Sequence, residues 1–130
     1  MAEKIYHGSC HCGKVTFAAK FDLAKGTFKC NCTICLKSRF WGASVLPEHF
    51  NLLTGNIDLK LYGKNVHHHF CKHCGVKVYG KANTPKGPQI AVAVTTLDDL
   101  DPVELSRAPV KFVDGRHDQF TKEPDFKGHL

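Results

Sequence analysis

All seven cysteines of this 130-residue sequence lie in three short stretches: Cys10-His11-Cys12-Gly13, Cys30-Asn31-Cys32-Thr33-Ile34-Cys35 and Cys71-Lys72-His73-Cys74-Gly75. Because seven is an odd number, disulfides within one chain cannot pair them all. Zinc binds thiolates in tetrahedral geometry, and two cysteines separated by a tight turn can both reach one ion. A glycine after the second cysteine, as in the first and last stretches, allows the positive φ that such a turn uses. The three stretches therefore predict metal binding.

The spacing divides the cysteines into a set of four and a set of three. The first cluster consists of Cys10, Cys12, Cys71 and Cys74. Its four thiolates would complete a closed structural zinc site that ties the N-terminal strand to the middle of the chain. The second cluster consists of Cys30, Cys32 and Cys35, which lie within six residues. Three protein ligands with an open fourth position are typical of a catalytic zinc.

Other interpretations of the same cysteines stay open at this point. Cysteine is often simply a buried residue, although this explains one or two positions better than three groups. A redox-active pair could lie at Cys32 and Cys35 or at Cys71 and Cys74, but the strand–helix–strand setting of such pairs is not evident. A histidine from residues 67–69 could complete the second cluster and make its zinc structural. On a strand, the first and third of these histidines share one face and the second faces away.

Length and composition limit the class of protein. We expect one domain over residues 1–130, with a core over about residues 5–120 and a polar tail over about residues 121–130. The N-terminus does not resemble a secretory signal, and no stretch approaches the roughly 20 apolar residues of a membrane span, so we expect a soluble, cytoplasmic protein. The formal net charge is +6, but the basic residues are scattered. This scatter argues against nucleic-acid binding and is compatible with a pocket for a small anion.

Short alternating apolar patterns predict a mainly β protein. Turns that contain glycine or proline separate these patterns. No window of 11 or more residues has a helical apolar stripe, and we expect only single helical turns, within residues 47–53 and 98–105. Several short strands between frequent turns favour a mainly β domain. The segments that we predict as strands are residues 15–21, 57–62, 76–78, 90–94 and 110–113.

Together these features resemble the glutathione-dependent formaldehyde-activating enzyme family, in which centromere protein V is also grouped. The resemblance extends from about His7 to Phe120, nearly the whole chain. It rests on three cysteine blocks in the same order, which is far more specific than a single Cys-x-x-Cys pair. The matching positions outside the cysteine stretches include Gly8, Ser9, Leu52, Gly55, Leu59, Tyr62, Leu97, Asp98, Asp99 and Pro109.

The resemblance implies a fold, two metal sites and an activity. The fold is a single-domain β-tent of folded antiparallel sheets, similar to methionine sulfoxide reductase B. The metal sites are a structural zinc on the first cluster and an exposed, catalytic zinc on the second cluster. The enzymes that give the family its name join glutathione and formaldehyde into S-(hydroxymethyl)glutathione, a reversible carbon–sulfur bond formation of the lyase class. These enzymes are longer chains with added segments around the substrate cleft.

Two hypotheses about function follow. In the first, the protein is a carbon–sulfur lyase-like enzyme: a small anionic thiol such as glutathione takes the open position at the second cluster and reacts with an aldehyde. In the second, it is a non-catalytic, zinc-stabilised module that binds a protein or a nucleic acid. The side chains that could line a pocket in the first hypothesis are Lys37, Arg39, Phe40, Trp41, Lys72 and His67–His69.

Overall fold

The computed structural model describes residues 3–130, which form ten strands in two sheets and two short α-helices. This confirms the mainly β architecture predicted from the sequence. The strands are β1 (Lys4–Ser9), β2 (Thr16–Phe21), β3 (Thr27–Cys30), β4 (Gly42–Val45), β5 (Phe50–Thr54), β6 (Leu59–Tyr62), β7 (Val66–Cys71), β8 (Lys77–Thr84), β9 (Gly87–Ala93) and β10 (Val110–Val113). The helices are α1 (Thr33–Ser38) and α2 (Pro102–Ser106).

The two sheets differ in size and in their pairing. The smaller sheet is antiparallel and has the strand order β1-β2-β5. The larger sheet has the order β10-β3-β4-β9-β8-β7-β6, and it is antiparallel except for the parallel pair of β3 and β10. Most of the chain lies between these two strands, which gives the connection that a parallel pair needs. Their register sets Val113 beside Cys30, so the segment after β10 lies against the second cluster.

The core combines side chains from both sheets, and its pattern follows the predicted alternation in most places. In β2, Phe17, Ala19 and Phe21 are buried, as predicted. Ile57 was predicted as an apolar strand position, and this prediction is wrong. It lies in a single 3-10 turn, Asn56–Asp58, and is 81% exposed, because β6 begins only at Leu59.

The helical segments are short. The turn predicted within residues 98–105 corresponds to α2, where the Asp101 carboxylate accepts a hydrogen bond from the Val103 N–H and Pro102 occupies the first turn. Within residues 47–53 only Pro47–His49 is helical, as one 3-10 turn before β5. Helix α1 was not predicted, because six exposed or half-buried residues carry no apolar stripe. None of the helices formed by residues 3–130 has the length and apolar character of a membrane span.

Candidate metal centres

Two turns, one from each sheet, bring the first cluster together. Cys10 and Cys12 lie in the turn between β1 and β2, and Cys71 and Cys74 lie at the end of β7 and in the turn before β8. The four sulfur atoms are within 4.8 Å of one another, and Cys12 Sγ is 3.6 Å from both Cys10 Sγ and Cys71 Sγ. Thiolates about 2.3 Å from a tetrahedral zinc have sulfurs about 3.8 Å apart. The spacing of the first cluster therefore fits a zinc ion.

The two turns of the first cluster share one local design. The N–H of Gly13 donates to the Cys10 carbonyl, and the N–H of Gly75 donates to the Cys71 carbonyl. These glycines have φ values of 81° and 78°, a region that favours glycine, so the role predicted for them is confirmed. A backbone N–H group also donates to each of the Cys10 and Cys71 sulfurs at 3.4 Å. Such contacts favour the thiolate form that a metal requires.

The first cluster is continuous with the hydrophobic core. Cys71 is 0% exposed and Cys10 is 3% exposed, and both pack among the core side chains. Cys12 lies on the outer side of the cluster and is exposed. A metal held there would join the two sheets from within the core.

The second cluster is built from one continuous segment at the end of β3. Cys30 is the last residue of β3, Cys32 directly precedes α1, and Cys35 lies within α1. Their three sulfur atoms also lie within 4.8 Å of one another. Within residues 3–130 no further Cys, His, Asp or Glu ligand atom lies that close to all three sulfurs, so none of the three consecutive histidines completes the cluster.

The three thiols of the second cluster shift one another's pKa values. Hydrogen bonds from the Cys30 and Cys35 thiols lower the pKa of Cys32 to about 2, whereas the same close contacts with Cys30 and Cys32 raise the pKa of Cys35. Three adjacent thiolates repel one another, so the thiols of the second cluster oppose full ionisation. A cation removes this restriction, since a bound metal replaces the thiol protons. The donor set fits a soft metal ion such as zinc.

The segment after β10 holds the second cluster in place. Asn31 Nδ2 donates to Asp114 Oδ1 at 2.9 Å, and both residues are buried. This hydrogen bond lowers the pKa of Asp114, whose carboxylate also lies 2.9 Å from His117 Nδ1. Gly115 packs so tightly here that a Cβ atom at its position would collide with Cys30 Sγ. The absence of a side chain at this position is therefore a geometric requirement of the second cluster.

A half-buried cation, Lys77, lies near the second cluster on the larger sheet. Lys77 Nζ lies 3.9 Å from the centroid of the Phe40 ring and 2.5 Å from His68 Nδ1. Since a lysine ammonium only donates, His68 accepts at Nδ1. Burial lowers the pKa of Lys77, and negative charge on the second cluster opposes this shift. None of the ion pairs formed within residues 3–130 includes Lys77.

The pocket residues considered from the sequence fall into two groups. Arg39, Phe40 and Trp41 line a cavity of about 160 Å³ together with Cys30 and Cys35. The side chains of Lys37 and Lys72 are exposed and do not line that cavity. The three histidines lie on the two faces of β7 as expected for a strand. His67 lines a separate cavity of about 760 Å³ with Tyr79, and the His69 ring stacks on Tyr79. His68, on the other face, contacts Lys77.

Sequence reasoning missed two groups of residues near the second cluster. Lys77 gave no signal, because its role depends on a β-bulge in the pairing of β7 with β8. Asp114 was visible only as part of a turn, and its contact with Asn31 depends on the parallel pairing of β3 with β10. Neither pairing can be derived from local patterns.

Comparisons with known proteins agree with these features. The family model described as glutathione-dependent formaldehyde-activating enzyme matches residues 5–113, a range that includes all seven cysteines. Among solved structures, a Rhodobacter sphaeroides protein determined as a structural-genomics target is similar, with 23% sequence identity and a TM-score of 0.68. The alignment covers 81% of this chain and 99% of that chain. At this level of identity the likeness shows the fold alone.

Proposed function

The chain belongs to the glutathione-dependent formaldehyde-activating enzyme family, and on this premise we propose that it is a carbon–sulfur lyase-like enzyme acting on a thiol–aldehyde adduct such as S-(hydroxymethyl)glutathione. We assign a structural zinc to the first cluster and a catalytic zinc to the second cluster. The observation that carries the proposal is the second cluster itself, in which three sulfurs lie within 4.8 Å and the described residues offer no fourth ligand.

The reaction that we propose joins a thiol to an aldehyde. The thiol loses its proton, its sulfur bonds to the carbonyl carbon, and the carbonyl oxygen gains a proton, so no oxidant or reductant is needed. Zinc on the second cluster supplies the acidity that converts a thiol to a thiolate near neutral pH. Cys30, Cys32 and Cys35 are the residues that would hold this ion.

The surrounding side chains would serve this reaction through charge and position. Three thiolates and one divalent cation leave a net negative charge on the second cluster, which disfavours an incoming thiolate. Lys77 is the half-buried cation that offsets this repulsion, and its contacts with Phe40 and His68 keep it in place. The hydrogen bond between Asn31 and Asp114 holds the backbone that carries the cysteines.

The test uses zinc-loaded protein with glutathione and formaldehyde, and NMR follows the exchange of free and adduct forms. We expect exchange faster than in a protein-free control, and an equal rate would reject this substrate pair. Lys77→Met should slow the catalysed exchange about tenfold, since one charged contact is typically worth about 1.5 kcal/mol or more. Lys77→Arg should retain most of the rate, and Lys81→Met, which removes a cation from the same strand, is the matched control.

The same measurements decide between an enzyme and a non-catalytic zinc-stabilised module. An enzyme requires exchange that disappears in Cys35→Ser while the protein stays folded. A module would bind zinc in the wild-type protein and give no exchange above the control.

A further inference from the structure

The last two residues of the described chain lie beside the second cluster. Arg39 Nη1 donates to the His129 carbonyl oxygen at 3.0 Å, and Lys29 Nζ donates to the Leu130 oxygen at 3.3 Å. His129 and Leu130 also form one wall of the 160 Å³ cavity that includes two cysteines of the second cluster. A short piece of peptide main chain therefore occupies the space next to the cluster.

The cavity is built to hold negative charge. No Asp or Glu lines it, and within residues 3–130 neither Lys29 nor Arg39 forms an ion pair with an Asp or Glu side chain. Lys29 Nζ lies 4.9 Å from the centroid of the Trp41 ring, and Trp41 Nε1 in turn donates to Thr27 Oγ1 at 2.7 Å. Both cations donate here to main-chain oxygens. For Arg39, whose partner is the neutral His129 carbonyl oxygen, a carboxylate would be a stronger acceptor, since a guanidinium and a carboxylate can form two parallel hydrogen bonds between opposite charges.

Arg39 owes its position to an uncommon backbone conformation. It ends α1 with a φ of 53°, in the left-handed region, and its N–H donates to the carbonyls of the last helical turn. A non-glycine residue adopts this conformation only with backbone strain. The chain follows this turn directly with the aromatic pair of the cavity, Phe40 and Trp41.

We propose that Lys29 and Arg39 form a carboxylate-binding subsite of the second cluster, and that His129 and Leu130 occupy it until a small thiol with a carboxylate displaces them. The proposal rests on the proposed function for the role of the thiol, and it adds the group by which the thiol is recognised. A short peptide thiol such as glutathione carries such a carboxylate, and the chain's own main chain takes its place in the structure.

Trp41 gives a direct probe of this subsite. It is the single tryptophan of the sequence and it lines the cavity, so its fluorescence reports on ligands that enter there. The ligand is S-methylglutathione, which keeps the carboxylates of glutathione but cannot form a thiolate. Titration of the zinc-loaded full chain should give a saturable change in fluorescence. A thioether without a carboxylate, 2-(methylthio)ethanol, should give none.

Three variants separate the subsite from general charge effects. Lys29→Gln and Arg39→Gln should each weaken S-methylglutathione binding about tenfold, as expected for the loss of one charged hydrogen bond. Lys37→Gln removes an equal charge from the exposed face of α1 and should leave the affinity unchanged. Equal affinities in all three variants would overturn the proposal, and if Arg39→Gln does not fold, Lys29→Gln decides it.

A truncation tests the role of the tail. A chain that ends after Phe126 should bind S-methylglutathione several-fold more tightly than the full chain, because its own main chain no longer competes. Unchanged or weaker binding would overturn the competition between tail and ligand. Lys29-dependent binding without any adduct exchange would reject the proposed function and keep the subsite. Adduct exchange that is insensitive to Lys29→Gln and Arg39→Gln would keep the proposed function and reject the subsite.

Discussion

The first and second clusters use the same donor atoms but relate to the fold in different ways. The first cluster joins residues 10–12 to residues 71–74, and so connects a turn of the smaller sheet to a turn of the larger one. The second cluster lies entirely within residues 30–35. A metal at the first cluster closes a long loop of chain, whereas a metal at the second cluster closes a very short one. Loop closure by a metal stabilises the fold more when the loop is long.

The two clusters also differ in burial, and the first cluster lies deeper in the core. Two cysteines of the first cluster belong to the hydrophobic core, so an uncompensated thiolate there would be costly. In the second cluster Cys32 and Cys35 are only half-buried, and a cavity opens beside Cys30 and Cys35. A site that ties sheets together and a site that admits a ligand thus need different surroundings, although both consist of cysteines.

The largest effect should come from removing one ligand of each cluster. Cys74→Ser should abolish folding, because the free energy contributed by a structural zinc is comparable to the whole stability of a small domain, about 5–15 kcal/mol. Cys32→Ser should lose one zinc ion and leave the domain folded. Circular dichroism during heating gives the stability, and elemental analysis gives the zinc content per chain. Similar destabilisation by both substitutions would show that the two clusters do not differ in role.

Metal removal should follow the same order. A chelator added in steps should first remove the zinc of the second cluster, which is accessible from the cavity, while circular dichroism stays unchanged. Loss of the second ion should coincide with unfolding, since the first cluster lies in the core and links the two sheets. A colorimetric zinc indicator and circular dichroism, recorded together, check this order. Unfolding with the first ion lost would contradict it.

A substitution outside the cysteines should disturb the second cluster alone. In Gly115→Ala the new methyl group collides with Cys30 Sγ, so we expect roughly one zinc ion fewer per chain and a drop of about 1–3 kcal/mol in the free energy of unfolding. Gly128→Ala, where a Cβ atom meets nothing within 4 Å, is the matched control and should change neither quantity. Two zinc ions in Gly115→Ala would show that Cys30 does not need its present position.

The sequence predicted the two cysteine clusters better than their surroundings. Paired cysteines with a following glycine reveal the turns of the first cluster, and the second cluster is visible because its three cysteines lie within six residues. Both signals are local, so both clusters could be predicted from spacing. The contact of Asn31 with Asp114 and the approach of Lys77 depend on how distant strands align. Helix α1 was missed because its six residues are too few for an apolar period, and it begins directly after a cysteine of the second cluster.

The smallest effects concern the carboxylates that support each cluster. Asp58 Oδ1 lies 2.7 Å from His73 Nε2 beside the first cluster, and this pair is partly exposed, with His73 more accessible than Asp58. Asp114 is buried and satisfies the buried amide of Asn31. Asp114→Ala should therefore lower the free energy of unfolding by about 1–3 kcal/mol, the cost of an unsatisfied buried donor.

Asp58→Ala should lower the free energy of unfolding by less than about 1 kcal/mol, as for an exposed ion pair. Urea unfolding of the two variants measures both changes. Asn31→Ala combined with Asp114→Ala should recover part of the loss, because the unsatisfied donor is removed together with its acceptor. The absence of such coupling would show that Asp114 acts on the second cluster through His117 instead. Each cluster would then be supported in the same way, by one carboxylate–histidine pair beside it.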